Sequence, residues 1–598
     1  MTAPTRSPYQ GLQRKLVLAF DIGTTYSGIS FSILDPGIVP EITPVTRFPA
    51  QEYVSGTSKI PTLVYYDRTG KVRAVGAEAM REGIYEVAEE EKWVKAEWFK
   101  LHLRSKVGAG RGVTSEIPPL PLNKTVNEVF ADFLRYLLEC ASAYIQSTNA
   151  NGADLWASVE NQIDFVLSHP NGWEGAQQSE MRTAAVMAGL IPDNPAGHAR
   201  LTFVTEGEAS LHFSIQNGLP SGAMKNGDGV VIVDAGGGTI DISAYSKTMG
   251  AGKDTFEEIA APQCHFHGSV FVSIHARLYL EQYLARSKFI DDLEHIVRQF
   301  DKTTKLRFMD STEMQYVQFG SARDNDQQYN IRFGQLKLQG ADVAAFFEPS
   351  IECITKAVLS MAQKKSSHKP ICHVVLVGGF SENDWLFEKV HSALTPAGLN
   401  ILRPGRHVNK SVTDGAISYY LDHFVSTRVS KFTYGEFIYI LFDPTLDDHQ
   451  IRENNVVTLP SGEKRVRDSF DVILPKNTQV SEVTEFRRAR FCEAESREDF
   501  KSLSVSVWCY RGTILEPKWA DVDTKNYAEF CKFEFDASDL PLQLRTGPGG
   551  GRNYYRVDYE SVLLFGLTEL KAFIAWKENG IEKRSVAKIF YHAEITNE

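Results

Sequence analysis

Residues 16–31 read LVLAFDIGTTYSGISF, and this stretch decides the fold. Four apolar residues and a phenylalanine lead directly into Asp21, which an isoleucine, a glycine and two threonines follow. From Ile29 onward, apolar and small polar residues alternate, which is the pattern of a strand with two different faces. The stretch therefore predicts a buried strand, a tight turn that begins with a carboxylate, and a strand that returns beside the first.

A second stretch repeats this pattern more than 200 residues later. Residues 230–245 read VVIVDAGGGTIDISAY, so a buried apolar run again ends in an acid, Asp234, and glycines and Thr239 follow. The recurrence predicts an internally duplicated domain whose two halves face each other. Strands and helices alternate from residue 15 to about residue 425, which favours an α/β class for this part of the chain.

The chemistry of the two turns indicates a phosphate ligand. Glycine lets the backbone approach a ligand closely, and successive N–H groups in such turns bind anions. Carboxylates repel phosphate unless a cation lies between them, and Mg²⁺ is commonly held by carboxylates and phosphates together. Two ordinary Asp-Gly hairpins are the alternative. The sequence has no GxxxxGK[ST] loop, and after Gly238 it continues as a strand, which disfavours a dinucleotide-binding turn.

A third glycine motif completes the set. Residues 374–381 read VVLVGGFS, an apolar strand that ends in Gly378 and Gly379, before a helix whose predicted cap is Ser381. Glycines at this place permit a ribose or phosphate to pack closely against a helix N-terminus.

Composition restricts the classes of function. The chain has 598 residues, a formal net charge of −11 and no apolar run of the roughly 20 residues that a membrane helix needs. These values argue against nucleic acid or a membrane as a partner. The seven cysteines include no CxxC pair, which is typical of reduced thiols in the cytoplasm or nucleus.

The texture of the sequence predicts four segments. Residues 1–14 are expected to be a disordered leader, residues 15–425 the nucleotide-binding domain, and residues 426–432 a linker. Residues 433–598 are expected to be all-β, since residues 502–509 alternate and Asn579-Gly580 is a hairpin turn signal.

Taken together, the three motifs resemble the phosphate-1, phosphate-2 and adenosine motifs of the actin, sugar-kinase and heat-shock-chaperone ATPase superfamily. The wording DIGTTYS is most similar to the 70-kilodalton heat-shock (DnaK-type) chaperones, and the resemblance runs from about Leu16 to the C-terminus. That family's helical lid would come next, but the sequence ends at Glu598. The chain thus resembles the divergent, lidless branch around heat-shock 70-kilodalton protein twelve.

This resemblance implies a duplicated actin-like ATPase domain, with two lobes around a nucleotide cleft, followed by a β-sandwich substrate-binding-like domain. It implies a stress-response, chaperone-like protein that binds ATP or ADP with Mg²⁺, hydrolyses ATP slowly, and binds unfolded peptide or a partner protein, with co-chaperones as further partners. A non-hydrolysing signalling or scaffold protein and a sugar-kinase-like phosphotransferase are the alternatives. The family's acidic-leucine linker is replaced here by STRVSKF, so little control of peptide binding by nucleotide is expected.

The resemblance also implies roles for individual residues. The residues with implied catalytic roles are Asp21, Lys100, Glu206, Asp234, Thr239 and Asp241. Asp21 and Asp234 would hold Mg²⁺ through water, and Lys100, with Lys95 as the second choice, would reach the γ-phosphate. The implied nucleotide contacts are Gly23, Thr24, Thr25, Tyr26, Gly236, Gly237, Gly238, Thr239, Lys305 (or Lys302), Gly378, Gly379 and Phe380.

Overall fold

The structure is a computed structural model that describes residues 6–54, 58–103, 117–173, 175–217, 219, 224–250, 254–363, 369–405, 408–538, 540–547, 551–566, 569–585 and 588–590. The chain divides into two compact units. The first unit is Met1–Trp173 with Glu180–Val425, and the second is Glu174–Ser179 with Ser426–Glu598. No helix among the described residues combines the length and apolar character needed to cross a bilayer.

The first part of the chain, up to residue 422, is a mixture of strands and helices, which confirms the predicted α/β class. Its strands are β1 Lys15–Ile22, β2 Tyr26–Leu34, β3 Thr43–Pro44, β4 Ile60–Pro61, β5 Leu63–Tyr66, β6 Val72–Val75, β7 Val94–Glu97, β8 Ile163–His169, β9 Leu201–Thr205, β10 Gly229–Ala235, β11 Ile240–Thr248, β12 Thr255–His265, β13 Gln315–Gln318, β14 Ile331–Arg332, β15 Gln335–Leu338, β16 Ile371–Val377 and β17 Asn400–Leu402. Its helices are α1 Ile84–Glu90, α2 Val126–Thr148, α3 Gly152–Val159, α4 Gly175–Met187, α5 Pro195–His198, α6 Glu206–Asn217, α7 Ser269–Tyr283, α8 Leu293–Gln299, α9 Lys305–Arg307, α10 Gly340–Gln363, α11 Asp384–Leu394 and α12 Ser411–Asp422.

Two sheets of the first unit share one local arrangement. In the first sheet the order is β3-β2-β1-β8-β9, with β4 also on β2, and the second sheet contains the order β17-β16-β10-β11-β12. In each sheet a central strand pairs antiparallel with the strand that follows it and parallel with a later one: β1 with β2 and β8, and β10 with β11 and β16. Each sheet has its own apolar core. Both predicted hairpins are therefore formed, each at a comparable place.

The backbones of helices α6 and α12 approach each other closely. A Cβ built on Gly415 would lie 1.8 Å from the carbonyl oxygen of Ala209, so only glycine permits this approach. Helix α12 also contacts β1, β2 and β8 of the first sheet, while α6 contacts β10 and β11 of the second. The pair therefore joins the two sheets directly behind the hairpin turns.

The rest of the chain is almost entirely β-structure. Its strands are β18 Val425–Val429, β19 Thr433–Leu441, β20 Val456–Thr458, β21 Lys464–Leu474, β22 Gln479–Ser481, β23 Glu485–Ala494, β24 Leu503–Tyr510, β25 Tyr527–Phe535, β26 Gln543–Thr546, β27 Asn553–Gly566, β28 Glu569–Glu578, β29 Ile581–Arg584 and β30 Lys588–Phe590, and one short helix is α13 Asp447–Gln450. One sheet has the order β20-β21-β19-β24-β25-β30 and the other β23-β27-β28-β29, with β26 on β27. Val507, Phe535 and Ile574 belong to a shared apolar core.

Parts of the predicted leader and linker have local structure. Residues 6–14 of the predicted leader make hydrogen bonds within the first unit, and residues 1–5 lie outside the described residues. The Arg6 guanidinium donates to both carboxylate oxygens of Asp422, at 2.9 and 2.8 Å, and Tyr9 accepts from Gly37 N–H and donates to the Ile38 carbonyl. The predicted linker begins as a regular strand, because β18 pairs with β22. The functional roles of the segments stay predictions.

Candidate functional site

The turns of the two hairpins lie against each other within the first unit. A Cβ built on Gly237 would lie 2.3 Å from Oγ1 of Thr25, and one on Gly238 would lie 2.2 Å from Oγ1 of Thr24. Such distances are shorter than any ordinary contact, so these two positions of the second turn must be glycine for the threonines to fit. The two turns, one from each of the repeated stretches, are therefore in direct contact.

The first turn carries Asp21 at the end of β1, almost completely buried. Its Oδ1 accepts a hydrogen bond from Ser168 Oγ at 2.9 Å, and its Oδ2 accepts one from Lys59 Nζ at 2.7 Å. Gly23 shapes the turn, since a Cβ there would lie 2.3 Å from the Tyr26 carbonyl oxygen. Both oxygens of the carboxylate predicted to hold hydrated Mg²⁺ therefore have partners in the chain.

The second turn places two further carboxylates side by side. Asp234 and Asp241 are paired residues of β10 and β11, and both are buried. Asp234 Oδ2 accepts from Ser210 Oγ at 2.6 Å, and Asp241 Oδ1 accepts from the Asn171 N–H at 2.6 Å. Asp241 Oδ2 is buried with no hydrogen-bond partner among the described residues.

The turn itself is closed by backbone bonds. The Gly236 N–H donates to the Thr239 carbonyl at 2.9 Å. The start of α7 then covers the turn, because the N–H groups of Gly268, Ser269 and Val270 donate to the carbonyls of residues 238, 236 and 237. The second turn is therefore held rigidly before any ligand binds.

Lys100 and Glu206 form a buried ion pair. Lys100 lies in a short 3₁₀ turn, Phe99–Leu103, and its Nζ is 2.5 Å from Oε1 of Glu206, the first residue of α6. The exposed fraction is 4% for Lys100 and 8% for Glu206. Burial alone would lower the pKa of Lys100, but the charges of Glu206 and Asp21 outweigh it and raise that pKa. The lysine is therefore fully charged at neutral pH. By contrast, Lys95 pairs with Glu97 on β7, and nothing in the structure brings it to this cluster.

The carboxylates have very different proton affinities. Burial raises the pKa of Asp21, but the charges of Lys59 and Lys100 outweigh it, so this pKa is lowered. Burial and then the charge of Glu206 raise the pKa of Asp234 to about 7 and that of Asp241 to about 8. Burial likewise raises the pKa of Glu206. Four carboxylates against two ammonium groups give a net charge of −2 when all are ionised, which is the charge that one divalent cation balances.

The donor set fits a hydrated Mg²⁺ ion. All the candidate groups are carboxylate or hydroxyl oxygens, which is the ligand chemistry Mg²⁺ prefers. The unpartnered Oδ2 of Asp241 is an acceptor that such an ion's water would satisfy. No group of three His, Cys, Asp or Glu side chains in the described part of the chain is close enough to bind a metal directly.

The third glycine motif lies against Asp234. Gly378 has a φ of +85°, and a Cβ there would lie 2.3 Å from Oδ1 of Asp234, whereas a Cβ on Gly379 would meet open space. The helix cap differs from the prediction: Asn383 caps α11 by accepting from Leu386 N–H, and Ser381 Oγ donates to the Gly378 carbonyl instead. Ser381 stands three residues before the acid Asp384, as in a helix cap. In the structure, however, Ser381 belongs to a 3₁₀ turn, Gly379–Glu382, and α11 begins only after it.

The side chain of Phe380 packs in the interior. Its side chain is 6% exposed and belongs to the apolar core of the second sheet, where its ring lies 6.1 Å from that of Phe347. The ring therefore packs against apolar neighbours, and the nucleotide contact of Phe380 stays a prediction.

Lys305 and Tyr26 lie near one another through Asp301. Lys305 Nζ pairs with Asp301 and donates to Ser273 Oγ at 3.2 Å and to the Ser269 carbonyl at 3.3 Å, so it is tied to the start of α7. Partial desolvation and then the charge of Asp301 raise the pKa of Tyr26, although 46% of the residue is exposed. The two predicted contacts, one on β2 and one on α9, thus both interact with Asp301.

Sequence reasoning missed Lys59, Ser168, Ser210 and Asn171. Ser168 and Asn171 flank the end of β8, where a strand that runs parallel to β1 and ends in a proline could have indicated proximity to Asp21. Ser210 follows Glu206 by one helical turn, a spacing that puts both on one face of α6. Lys59 precedes a strand of two residues, and no pattern in the sequence singles it out.

The chain is similar to curated heat-shock proteins. It is 24% identical over 504 residues to heat shock 70 kDa protein 12A from Mus musculus, which covers 70% of this chain and 71% of that protein. It is 22% identical over 657 aligned positions to heat shock 70 kDa protein 12B from Homo sapiens, covering 95% and 90%. It is 24% identical over 329 residues to chaperone protein dnaK from Cyanophora paradoxa, covering 52% and 44%. No protein-family model matches the chain.

These homologues confirm the resemblance inferred from the motifs. They are consistent with a divergent branch of the 70-kilodalton heat-shock proteins, of the 12A and 12B type.

Proposed function

We propose that this protein binds ATP and ADP in an actin-like cleft between its first two sheets and hydrolyses ATP slowly. The observation that carries the proposal is the contact between the threonines of one turn and the glycines of the other, with buried carboxylates at the base of both. Two rigid turns rich in N–H and hydroxyl donors are suited to a chain of phosphates. The similarity to heat-shock 70 proteins supports this coarse assignment.

The residues of the cluster have distinct parts in this proposal. Gly23–Thr25 and Gly236–Thr239 bind the phosphates through backbone N–H and hydroxyl groups. Asp234 and Asp21 hold the waters of Mg²⁺, which when bound offsets phosphate charge. Lys100 is charged and reaches toward the γ-phosphate, and Asp241, whose Oδ2 lacks a partner, accepts a hydrogen bond from the attacking water. Glu206 positions Lys100 through their 2.5 Å pair.

The raised pKa values of Asp234 and Asp241 would assist proton transfer from the attacking water. A carboxylate whose pKa lies near the working pH is effective as a general base, because it is partly ionised and yet has a real proton affinity. Asp234 and Asp241, at about 7 and about 8, meet that condition. Phosphoryl transfer otherwise depends mainly on positioning and charge, so we expect slow turnover.

Isothermal calorimetry with ATP, ADP and GTP, each with and without Mg²⁺, tests the binding proposal. We expect saturable binding of ATP and ADP. A Kd of about 1 mM corresponds to a binding free energy of about −4 kcal/mol. If none of the three nucleotides binds at about millimolar concentration, the proposal is wrong. If nucleotide binds but the wild-type rate of hydrolysis equals that of Asp234→Asn, the protein is a non-hydrolysing nucleotide-dependent scaffold. Transfer of phosphate to a small polyol would instead support a kinase.

For the second unit we propose binding of an extended peptide or a partner protein. Its two sheets enclose an apolar core and end in edge strands, and an added strand is a common way for such sheets to bind peptides. Fluorescence anisotropy with labelled apolar peptides, in ATP and in ADP, tests it. We expect weak binding that nucleotide changes little. Slow peptide release that ATP accelerates would show strong coupling and contradict that expectation, and no binding would favour a partner-protein scaffold.

We further propose that the protein acts in the cytoplasm or nucleus.

A further inference from the structure

The sheet register brings Lys59 to the carboxylate of Asp21. Ser27 of β2 pairs with Ile60 of β4, so the next position places Lys59 beside Gly28. Gly28 in turn is the partner of Asp21 on β1. The three residues form a row across neighbouring strands, in which the lysine and the aspartate are separated by a residue without a side chain.

Gly28 provides the path for the lysine. A Cβ built on Gly28 would lie 3.2 Å from Cγ and 3.3 Å from Cε of Lys59, so the aliphatic stem crosses directly over this glycine. The ammonium group at its end then reaches Oδ2 of Asp21 at 2.7 Å. The contact thus follows from strand pairing and from the missing side chain, not from a chance rotamer of an exposed lysine.

The pair is largely withdrawn from water. The side chains of Lys59 and Asp21 are 13% and 5% exposed. Surface ion pairs contribute little because water screens them, but a buried charge that loses its partner is strongly destabilising. Asp21 therefore needs a resident cation, and Lys59 supplies one in the protein without ligands. Ser168 donates to Oδ1, so each oxygen of Asp21 accepts a hydrogen bond from the chain.

The charge of Lys59 acts on three of the four carboxylates. It opposes the effect of burial on the pKa of Asp21, Asp234 and Glu206, although the pKa values of Asp234 and Glu206 remain raised. After burial and the opposing charge of Asp414, its repulsion also lowers the pKa of Lys410, which precedes α12. The chain itself therefore supplies a positive charge, that of Lys59, next to Asp21.

We propose that Lys59 is a resident counter-cation of the candidate site, which neutralises Asp21 when no Mg²⁺-nucleotide is bound and donates to nucleotide phosphate. A Mg²⁺ ion next to Asp21 must displace the ammonium group or tolerate its charge. The protein without nucleotide consequently binds Mg²⁺ poorly. Its affinity for nucleotide also depends less on Mg²⁺ than the affinity of a site that had the same carboxylates but no Lys59. The second consequence rests on the proposed nucleotide binding; the first does not.

Magnesium titration without nucleotide tests the first consequence. Lys59→Met keeps the aliphatic stem over Gly28 and removes the charge, and Lys59→Gln is a second variant should the first fold poorly, as judged by circular dichroism. We expect about 10 mM Mg²⁺ to leave the Tm of the wild type unchanged and to raise that of the variants by at least about 2 °C, because binding to the native state stabilises it. Lys356→Met, which removes an exposed lysine paired with Glu352 on α10, should behave as wild type. Equal responses of wild type and Lys59 variants, whether both rise or neither does, would overturn the proposal.

Nucleotide titration tests the second consequence. In calorimetry with ATP, we expect the ratio of Kd without Mg²⁺ to Kd with Mg²⁺ to be at least about tenfold larger for Lys59→Met than for wild type, since a hydrogen bond to a charged group is worth that much or more. An unchanged ratio would contradict the role of Lys59 toward phosphate. Absence of nucleotide binding by the wild type would contradict the proposed function, while the magnesium titration would still decide the role of Lys59 as counter-cation.

Discussion

Lys100 Nζ lies 2.5 Å from Oε1 of Glu206, in an ion pair that connects a 3₁₀ turn after β7 to the first residue of α6. Both side chains are at least 90% buried. Because Glu206 lies near three other buried carboxylates, the positive charge of this lysine stabilises the cluster and favours a negatively charged ligand.

Removal of one partner of this pair should destabilise the protein. We expect Lys100→Met to lower the free energy of unfolding by about 3–5 kcal/mol, since it leaves Glu206 buried without a cation. Adding Glu206→Gln to it should restore part of that loss. Urea unfolding of the two single variants and the double variant measures the coupling. Lys356→Met, whose exposed pair with Glu352 should contribute about 0.5 kcal/mol or less, is the control. Additive effects of the two changes would show that the pair has no energetic coupling.

Turnover should depend on the same cluster. We expect Asp234→Asn to lower the rate of ATP hydrolysis by about 10²–10⁴-fold, the usual contribution of a positioned acid or base, and Glu206→Gln to lower it as well because it releases Lys100. Single-turnover assays with purified protein measure the chemical step. Glu388→Gln, on the exposed face of α11, should leave the rate unchanged. A common rate for all four proteins would mean that the observed hydrolysis is background.

The two neighbouring glycines of the third motif should respond differently to alanine. Gly378→Ala introduces a Cβ 2.3 Å from Asp234 Oδ1 at a φ of +85°, so we expect loss of stability together with loss of nucleotide binding. Gly379→Ala meets no atom within 4 Å, so its stability should equal that of wild type. If nucleotide lies over this motif, Gly379→Ala should nevertheless weaken nucleotide binding. Thermal unfolding and calorimetry separate the two effects; wild-type affinity in Gly379→Ala would place the nucleotide elsewhere.

The raised pKa of Asp241 predicts a specific dependence of stability on pH. In the folded protein this carboxyl keeps its proton up to about pH 8, whereas in the unfolded chain it loses it near pH 3.8. The folded state therefore binds more protons between these values, and the contribution of Asp241 to stability becomes less favourable as the pH rises from about 4 to about 8, by up to about 1.4 kcal/mol per pH unit.

Asp241→Asn removes this term and isolates it from other titrating groups. We expect the variant to gain stability relative to wild type as the pH rises from 5 to about 8, and the difference to level off above about pH 8. Urea unfolding in a chelating buffer without nucleotide measures it. A constant difference between the two proteins across this range would show that Asp241 is ionised throughout.

The sequence alone determined the local hairpin motifs of this protein. Each buried strand, its terminal carboxylate and its glycine turn could be predicted from apolar runs and turn residues, because strand pairing across a short turn is a local property. The α/β class followed from the alternation of elements. The heat-shock 70 resemblance rested on these same short motifs.

Only the tertiary structure decided which side chains meet at the turns. Lys59 reaches Asp21 because two residues far apart in sequence flank the same glycine across three strands, and no local pattern encodes that register. Phe380 follows two glycines in a motif that indicated a ligand contact, yet its ring packs in the core, since the 3₁₀ turn after Gly379 directs it toward Phe347. Burial in a shared cluster, which depends on the packing of both sheets, likewise separates the proton affinities of four carboxylates that have nearly the same intrinsic pKa.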